Sequence, residues 1–276
     1  MADVVWIDGE LVPTAEATVS VLDHGLTAGD GVFETIKVYD DVPVAARRHL
    51  ARLRSSAAVM ALAVPWSDAE LRGAVVAVAT QVSRLQARVR ITVTGGVGPP
   101  GLMRGGPPTV IITAGHLAAA EPSVAVCTVP WPRNERSPLA GVKTTSYAES
   151  VHALAYAHAQ SADNREAIFA NTAGRLCEGT TSNVFVATGG QLFTPPLGAG
   201  CLAGVTRALV MEVVAVVEED LPLAVLETAD EIFLTSTTRD VQPVHQVDDR
   251  RLVIPGPLTA AAQQAYRELL ARDLDP

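Results

Sequence analysis

Gly141-Val142-Lys143-Thr144-Thr145-Ser146-Tyr147 is the stretch on which the reading of the whole chain turns. The chain has 21 basic side chains, and all but Lys37 and Lys143 are arginine. Chemistry that needs a nucleophilic side-chain amine therefore has two residues to choose from. Lys143 lies among small apolar and hydroxyl residues, where burial would disfavour its charged form and free the lone pair. A surface lysine at a helix start is the bland alternative, and the surrounding sequence has to decide between them.

Composition narrows the field. A chain of 276 residues is long enough for one large domain or two modest ones. Apolar residues make up 48% and aromatics only 4%, so alanine, valine and leucine must build the core. A net charge of −9 argues against nucleic acid and anionic membrane surfaces, where binding rests on neutralising phosphate. Cys127, Cys177 and Cys201 are odd in number and widely spaced, which suggests neither a disulfide framework nor a zinc site. Residues 1–10 lack a basic region and a long apolar run, so no signal peptide is expected, and no apolar run is long enough for a bilayer. These features predict a cytoplasmic protein with no metal.

Working outward, Asp8-Gly9 between Val4–Ile7 and Leu11-Val12 predicts a hairpin. Val32 to Tyr39 reads as a strand, with Phe33, Thr35, Lys37 and Tyr39 on one face. That face is either a substrate-facing wall or a solvent-facing edge. A helix is predicted from about Arg47 to Leu62. Arg47, Arg48, Arg52 and Arg54 crowd its start, which implies a nearby anion or a solvated basic face. Ser67 and Glu70 have capping-box spacing. Arg88 to Thr94 alternates as a strand. The glycines that follow, Gly96, Gly98 and Gly101, match a dinucleotide-binding pattern only formally, because the prolines among them preclude the required helix.

The small residues at 115–122 mark a linker. Beyond it come a strand at Val124–Val129, the Lys143 stretch, a helix from about Tyr147 to Ser161, and strands around Asn171–Gly174. Glu178 precedes a glycine and a row of hydroxyls. Gly204-Val205-Thr206 opens a long apolar helix predicted to end near Glu218, and its free N–H groups suit a phosphate. Thr235-Ser236-Thr237-Thr238 closes a strand, and a last helix runs from about Leu258 to Arg272.

The order and wording of these blocks resemble the class IV (fold-type IV) pyridoxal-phosphate enzymes. Gly29-Asp30-Gly31-Val32-Phe33-Glu34-Thr35, with Lys37-Val38-Tyr39, looks like the family's first strand. His49-Leu50-Ala51-Arg52-Leu53, Cys177-Glu178-Gly179-Thr180-Thr181-Ser182-Asn183-Val184-Phe185 and Leu202-Ala203-Gly204-Val205-Thr206-Arg207 resemble three further blocks. The resemblance implies that pyridoxal 5′-phosphate is the cofactor and Lys143 its covalent anchor and catalytic residue. It makes Glu178 the partner of the ring nitrogen and Leu202 a support for the ring. Arg52, Thr181, Gly204, Val205, Thr206, Ser236 and Thr237 complete the cofactor set.

It also implies an α/β (α+β) fold in two domains, a small N-terminal α/β domain (1–117) and a larger C-terminal pseudo-barrel (123–276), joined by a linker at 118–122. A homodimer is expected, with the 95–106 loop of one subunit reaching the other's pocket. Lys143 and Tyr147 sit one residue closer than in branched-chain aminotransferases, which favours the D-amino acid transaminase and aminodeoxychorismate lyase branches. The expected reaction moves an amino group from a D-amino acid, or an (R)-amine, to a 2-oxo acid. The alternative is a lyase forming 4-aminobenzoate and pyruvate; a branched-chain aminotransferase or a non-catalytic cofactor binder ranks behind it. The arginine and histidine by which D-amino acid transaminases trap the substrate carboxylate are missing, since Gly95 and Val97 stand there. Arg90, Lys37 or Arg104 are the candidates to replace them, and Phe33, Thr35, Lys37, Arg90 and Thr238 form the expected substrate set.

Overall fold

The computed structural model describes residues 2–83 and 85–276, and the chain divides into two units. Unit 1 takes the chain up to Ala118 together with Val142–Ser146 and Asp273–Pro276, and unit 2 takes Ala119–Gly141 and Tyr147–Arg272. A linker at 115–122 read from composition does not foresee that the two short later segments cluster with the first unit. Small residues mark where a chain can bend, and say nothing of what a distant segment pairs with.

Unit 1 contains β1 (Val4–Ile7), β2 (Glu10–Pro13), α1 (His24–Thr27), β3 (Gly31–Tyr39), β4 (Val42–Pro43), α2 (Ala46–Val59), α3 (Asp68–Ala79), β5 (Gln86–Thr94) and β6 (Thr109–His116). The strands form one antiparallel sheet in the order β2-β1-β6-β5-β3-β4. Asp8 and Gly9 take positive φ values of 46° and 106° at the first hairpin, as its turn chemistry requires. The alternation of β3 and β5 sends Val32, Ile36, Val38, Val89, Ile91 and Val93 into a core shared with Leu50 and Leu53 of α2 and Leu71 and Val75 of α3. The predicted Ser67–Glu70 capping box opens α3. On the other face of the sheet, Phe33 pairs with Thr92, Thr35 with Arg90 and Lys37 with Arg88. The Lys143 stretch lies along the start of β3: Phe33 N donates to Lys143 O at 2.9 Å, and Thr145 N to Gly31 O at 2.8 Å.

The crowded arginines of α2 meet their anion within the chain. Ala45, at the helix start, has a left-handed φ of 51° and offers no side-chain cap. Instead, Arg47 N donates to Asp275 Oδ1 at 3.0 Å, and Arg72 pairs with the same carboxylate at 2.8 Å. Arg48 Nε donates to Pro276 O at 2.8 Å. Arg54 turns to Asp68 and the carbonyl of Trp66.

Unit 2 contains β7 (Val124–Thr128), α4 (Ala148–Gln160), β8 (Asn164–Ala170), β9 (Leu176–Gly179), β10 (Asn183–Thr188), β11 (Gln191–Thr194), α5 (Val205–Val213), β12 (Val217–Glu218), β13 (Glu231–Ser236), β14 (Asp240–Val247), β15 (Arg250–Arg251) and α6 (Pro257–Arg272). Its sheet runs β12-β11-β10-β13-β14-β7-β8-β9, with β15 added to β14. The β11–β12, β14–β7 and β7–β8 pairs are parallel. Strand β9 also lies alongside β10, so the sheet curls back on itself. Phe185 and Phe233, cross-strand partners, stack at 4.7 Å in its middle. Helix α5 ends at Val213, short of the expected Glu218, because residues 217–218 pair with Phe193 and Thr194 instead. The valines there carry strand preference as well as apolar character, and the available edge of β11 decides between the two. Glu231 caps α6 from a distance, accepting from the N–H groups of Leu258 and Thr259 at 3.0 and 2.7 Å. Among the described residues no helix is long and apolar enough to cross a membrane.

Removing the remote cap of α2 tests the closure of unit 1. Asp275→Ala is expected to lower stability by about 1 kcal/mol, a fall in Tm of about 2–4 °C. Asp275→Asn is expected to keep most of it, as thermal melts of the two variants will show.

Candidate active site

The site residues expected from sequence divide between the two units. In unit 1, the ring of Phe33 organises the group around Lys143. Lys143 Nζ lies 4.4 Å from the ring centroid, and the guanidinium of Arg90 lies 3.6 Å from it. Both nitrogen groups lie against one aromatic ring, whose quadrupole favours positive charge there. Arg90 Nε donates to Thr92 Oγ1 at 3.0 Å, which fixes its direction, and Thr35 is its register partner. The backbone N–H of Lys143 donates to Ser56 Oγ of α2 at 3.3 Å. Lys37 is buried on the same strand face, beside Arg88.

Arg104 is committed elsewhere. Its Nε and Nη2 donate to the carboxylate of Asp30, both at 2.6 Å, and its remaining donors reach the carbonyls of Met60 and Ala61 at 2.7 Å. The same pair explains the bare position at Gly95. A Cβ there would fall 2.2 Å from Asp30 Oδ2, so no arginine side chain can leave that backbone while the Asp30–Arg104 pair is in place.

Arg52 stands on the core side of β3. Its Nε and Nη2 donate to the two oxygens of Glu34 at 2.6 and 2.8 Å, and His49 Nδ1 lies 2.8 Å from Oε2. Burial alone would raise the Glu34 carboxyl, but Arg52, and after it His49, hold it down at about 2. Burial also lowers His49, partly offset by Glu34.

In unit 2, Glu178 is reached by a residue that sequence reasoning passed over. Arg133 Nη1 donates to Glu178 Oε1 at 2.5 Å and Nη2 to Ser150 Oγ at 3.1 Å, while its guanidinium lies 4.3 Å from the ring of Phe169. Burial works against the charge of Arg133, yet Glu178 and Glu149 raise its pKa above the ordinary arginine value. The second oxygen of Glu178 accepts from Leu202 N at 2.9 Å. The only local signal for Arg133 is its place in a stiff Pro-Trp-Pro-Arg loop; the partner is 45 residues away.

Gly204 caps α5, with Val205 and Thr206 in its first turn. A Cβ at Gly204 would lie 1.9 Å from Asn183 Oδ1, and Asn183 Nδ2 donates to Leu202 O at 2.8 Å, so the side chain of Asn183 fixes the entry to the helix. The hydroxyls of Ser182 and Ser236, flanking the Asn183–Thr235 pair, are buried without a hydrogen-bond partner among the described residues. Thr237 and Thr238 follow in the turn after β13. The hydroxyl and the N–H of Thr181 both donate to Glu166, at 3.1 and 2.6 Å.

These residues fit pyridoxal phosphate. Helix-start N–H groups beside partnerless buried hydroxyls suit a phosphate dianion. A carboxylate paired with Arg133 suits a protonated ring nitrogen. The cysteines offer no competing nucleophile, since burial pushes Cys127 up to about 11, Cys201 up to about 12 and Cys177 higher still. Among the described residues no three His, Cys, Asp or Glu side chains are grouped to hold a metal.

Residues 31–247 match the family described as amino-transferase class IV. The branched-chain-amino-acid aminotransferase of Pseudomonas aeruginosa is 32% identical over 294 residues, covering 98% of this chain and 95% of that protein. A D-alanine aminotransferase of Bacillus licheniformis is 29% identical and covers 95% of each. The crystal structure of a branched-chain aminotransferase from Thermoproteus uzoniensis with norvaline superposes with a TM-score of 0.91, at 31% identity, over 99% of this chain and 96% of that one.

The Glu34 cluster makes a pH prediction. Its folded pKa lies below the unfolded value, so its contribution is present above about pH 4.5 and is lost as pH falls through 2. His49, lowered from 6.5, moves stability in the same direction at higher pH. Urea midpoints of the wild-type protein are expected to fall by the equivalent of about 3 kcal/mol across the Glu34 window. Glu34→Gln is expected to lack that fall.

Proposed function

The chain belongs to the class IV aminotransferases, which use pyridoxal 5′-phosphate, and from that premise we propose that it moves the amino group of a D-amino acid to a 2-oxo acid. The observation that carries this reading is the pair of cations on Phe33. A reactive amine at Lys143 and a fixed guanidinium at Arg90 share one aromatic neighbour. That is the relation required between a proton carrier at Cα and an anchor for the carboxylate bonded to the same carbon.

When bound, the cofactor supplies an aldehyde and a pyridinium ring that draws electrons from the bond between Cα and its hydrogen. Lys143 is the covalent anchor, and once released its Nζ takes the Cα proton and returns it. Glu178 would hold a proton at the ring nitrogen, with Arg133 and the N–H of Leu202 fixing its carboxylate in place. The N–H groups of Val205 and Thr206 and the hydroxyls of Ser236 and Thr237 hold the phosphate, with Arg52 adding charge and Leu202 supporting the ring. Phe33, Thr35, Lys37, Arg90 and Thr238 line the substrate, with Arg90 gripping the carboxylate in place of the missing trap. The protein works in the cytoplasm as a homodimer.

The choice of a D-amino acid rests on the Gly29–Tyr39 block, which resembles the D-amino acid transaminases except at Phe33, where they usually carry tyrosine. A second reading, a branched-chain L-amino acid as donor, is favoured by the 32% identity to the Pseudomonas aeruginosa enzyme.

With 2-oxoglutarate as acceptor, D-alanine is expected to yield pyruvate. Turnover of L-leucine without D-alanine would install the second reading, and 4-aminobenzoate from aminodeoxychorismate would make the protein a lyase. Arg90→Met is expected to raise KM for D-alanine by about tenfold or more, and to leave an (R)-amine that has no carboxylate unaffected. Borohydride reduction followed by peptide mapping is expected to place the pyridoxyl label on Lys143, and Lys143→Ala to carry none.

A further inference from the structure

The turn from Ser236 to Asp240 carries three of the proposed ligands, and it is tied down on two sides by residues outside the proposed set. On one side, Arg239 donates through Nη1 to Glu166 of β8 and through Nη2 to Thr181 Oγ1 at 3.2 Å. Glu166 is fully buried. It also accepts from Thr180 Oγ1 and from the N–H of Thr181. On the other side, Asp240 hydrogen-bonds the phenol of Tyr266 on α6, and the same phenol hydrogen-bonds Thr206 in the first turn of α5. Tyr266 is 3% exposed, and α6 packs on both α5 and β14. Asp240 has a φ of 55°, a left-handed conformation that aspartate tolerates in turns.

Three segments far apart in sequence, 180–182, 205–206 and 236–240, are thus bound to one another by side chains. The electrostatics gives Arg239 a second task. A buried carboxylate touching Thr181 would repel a phosphate dianion held by neighbouring hydroxyls, unless a cation cancels its charge. Arg239 is that cation.

We propose that Arg239 and Tyr266 are positioning residues for the cofactor phosphate: Arg239 neutralises Glu166 and clasps the 236–240 turn to Thr181, and Tyr266 clasps it to the start of α5. The inference rests on reading these segments as the phosphate site. Donors fixed in advance spend little on ordering when the anion arrives, so the clasp acts on affinity for the phosphate and on nothing else in the ligand.

The test compares binding of pyridoxal 5′-phosphate and of pyridoxal, which lacks the phosphate, to the apo form of the full chain. Tyr266→Phe is expected to weaken the phosphorylated ligand about fivefold and to leave pyridoxal unchanged. Arg239→Met is expected to weaken it further. Glu166→Gln with Arg239→Met is expected to recover part of that loss, because the uncancelled carboxylate is gone; this double variant also avoids a buried unpaired charge that could prevent folding. Ser236→Ala tests the phosphate site itself. If Ser236→Ala loses the preference for the phosphorylated ligand while Tyr266→Phe and both Arg239 variants keep it, the clasp is overturned and the site reading stands. If all of them keep the preference, both fall. Equal weakening of the two ligands in Tyr266→Phe would mean general loosening and would overturn the clasp as well.

Discussion

A carboxylate taken out of water has to find its countercharge or its hydrogen-bond donors inside the protein, and four of the buried carboxylates of this chain do so across its elements. Glu34 is answered by Arg52 and His49, Glu178 by Arg133 and the N–H of Leu202, Glu166 by Arg239 and two threonines, and Glu231 by the N–H groups that open α6. Each pairing ties together elements far apart in sequence. Breaking one partner of such a pair leaves a stranded charge, so each fixes a register as well as adding stability. The polar chemistry of both units is mounted on these four anions. Glu34 sets the direction of Arg52, Glu178 is held at two oxygens, and Glu166 fixes the hydroxyl of Thr181.

Local features were legible in the sequence because their causes are local. The Asp8-Gly9 hairpin, the Ser67–Glu70 capping box and the alternation of Val32 to Tyr39 are each decided within a few residues. Lys143 stood out by scarcity, and the block resemblance supplied the rest of its context. What escaped were partners. Nothing near Arg133, Arg239 or Tyr266 announces the residues they touch, and the arginines of α2 meet an anion 228 positions later. The end of α5 was misjudged for a related reason, since a valine run satisfies a helix or a strand and only the open edge of β11 settles which.

The substrate end shows one constraint displacing another. Asp30 and Arg104 brace the turn before β3 against the residues that follow α2 and fill the space beside Gly95. An arginine used as a brace cannot also be a trap. The cation left beside Lys143 on the sheet is Arg90, whose aim is set by Phe33 and Thr92 rather than by a loop. A guanidinium mounted on a strand has less freedom than one on a glycine-rich loop.

The grip of Asp275 on α2 has a bearing on how the molecule is made. A ribosome that has released the first hundred or so residues has delivered the whole sheet of unit 1 but not Val142–Ser146 or Asp273–Pro276. The nascent chain therefore waits with the start of α2 uncapped until Asp275 has emerged, 228 positions after Arg47. Closure of unit 1 thus lags far behind the synthesis of its sheet, and that interval is when chaperones have the most to protect.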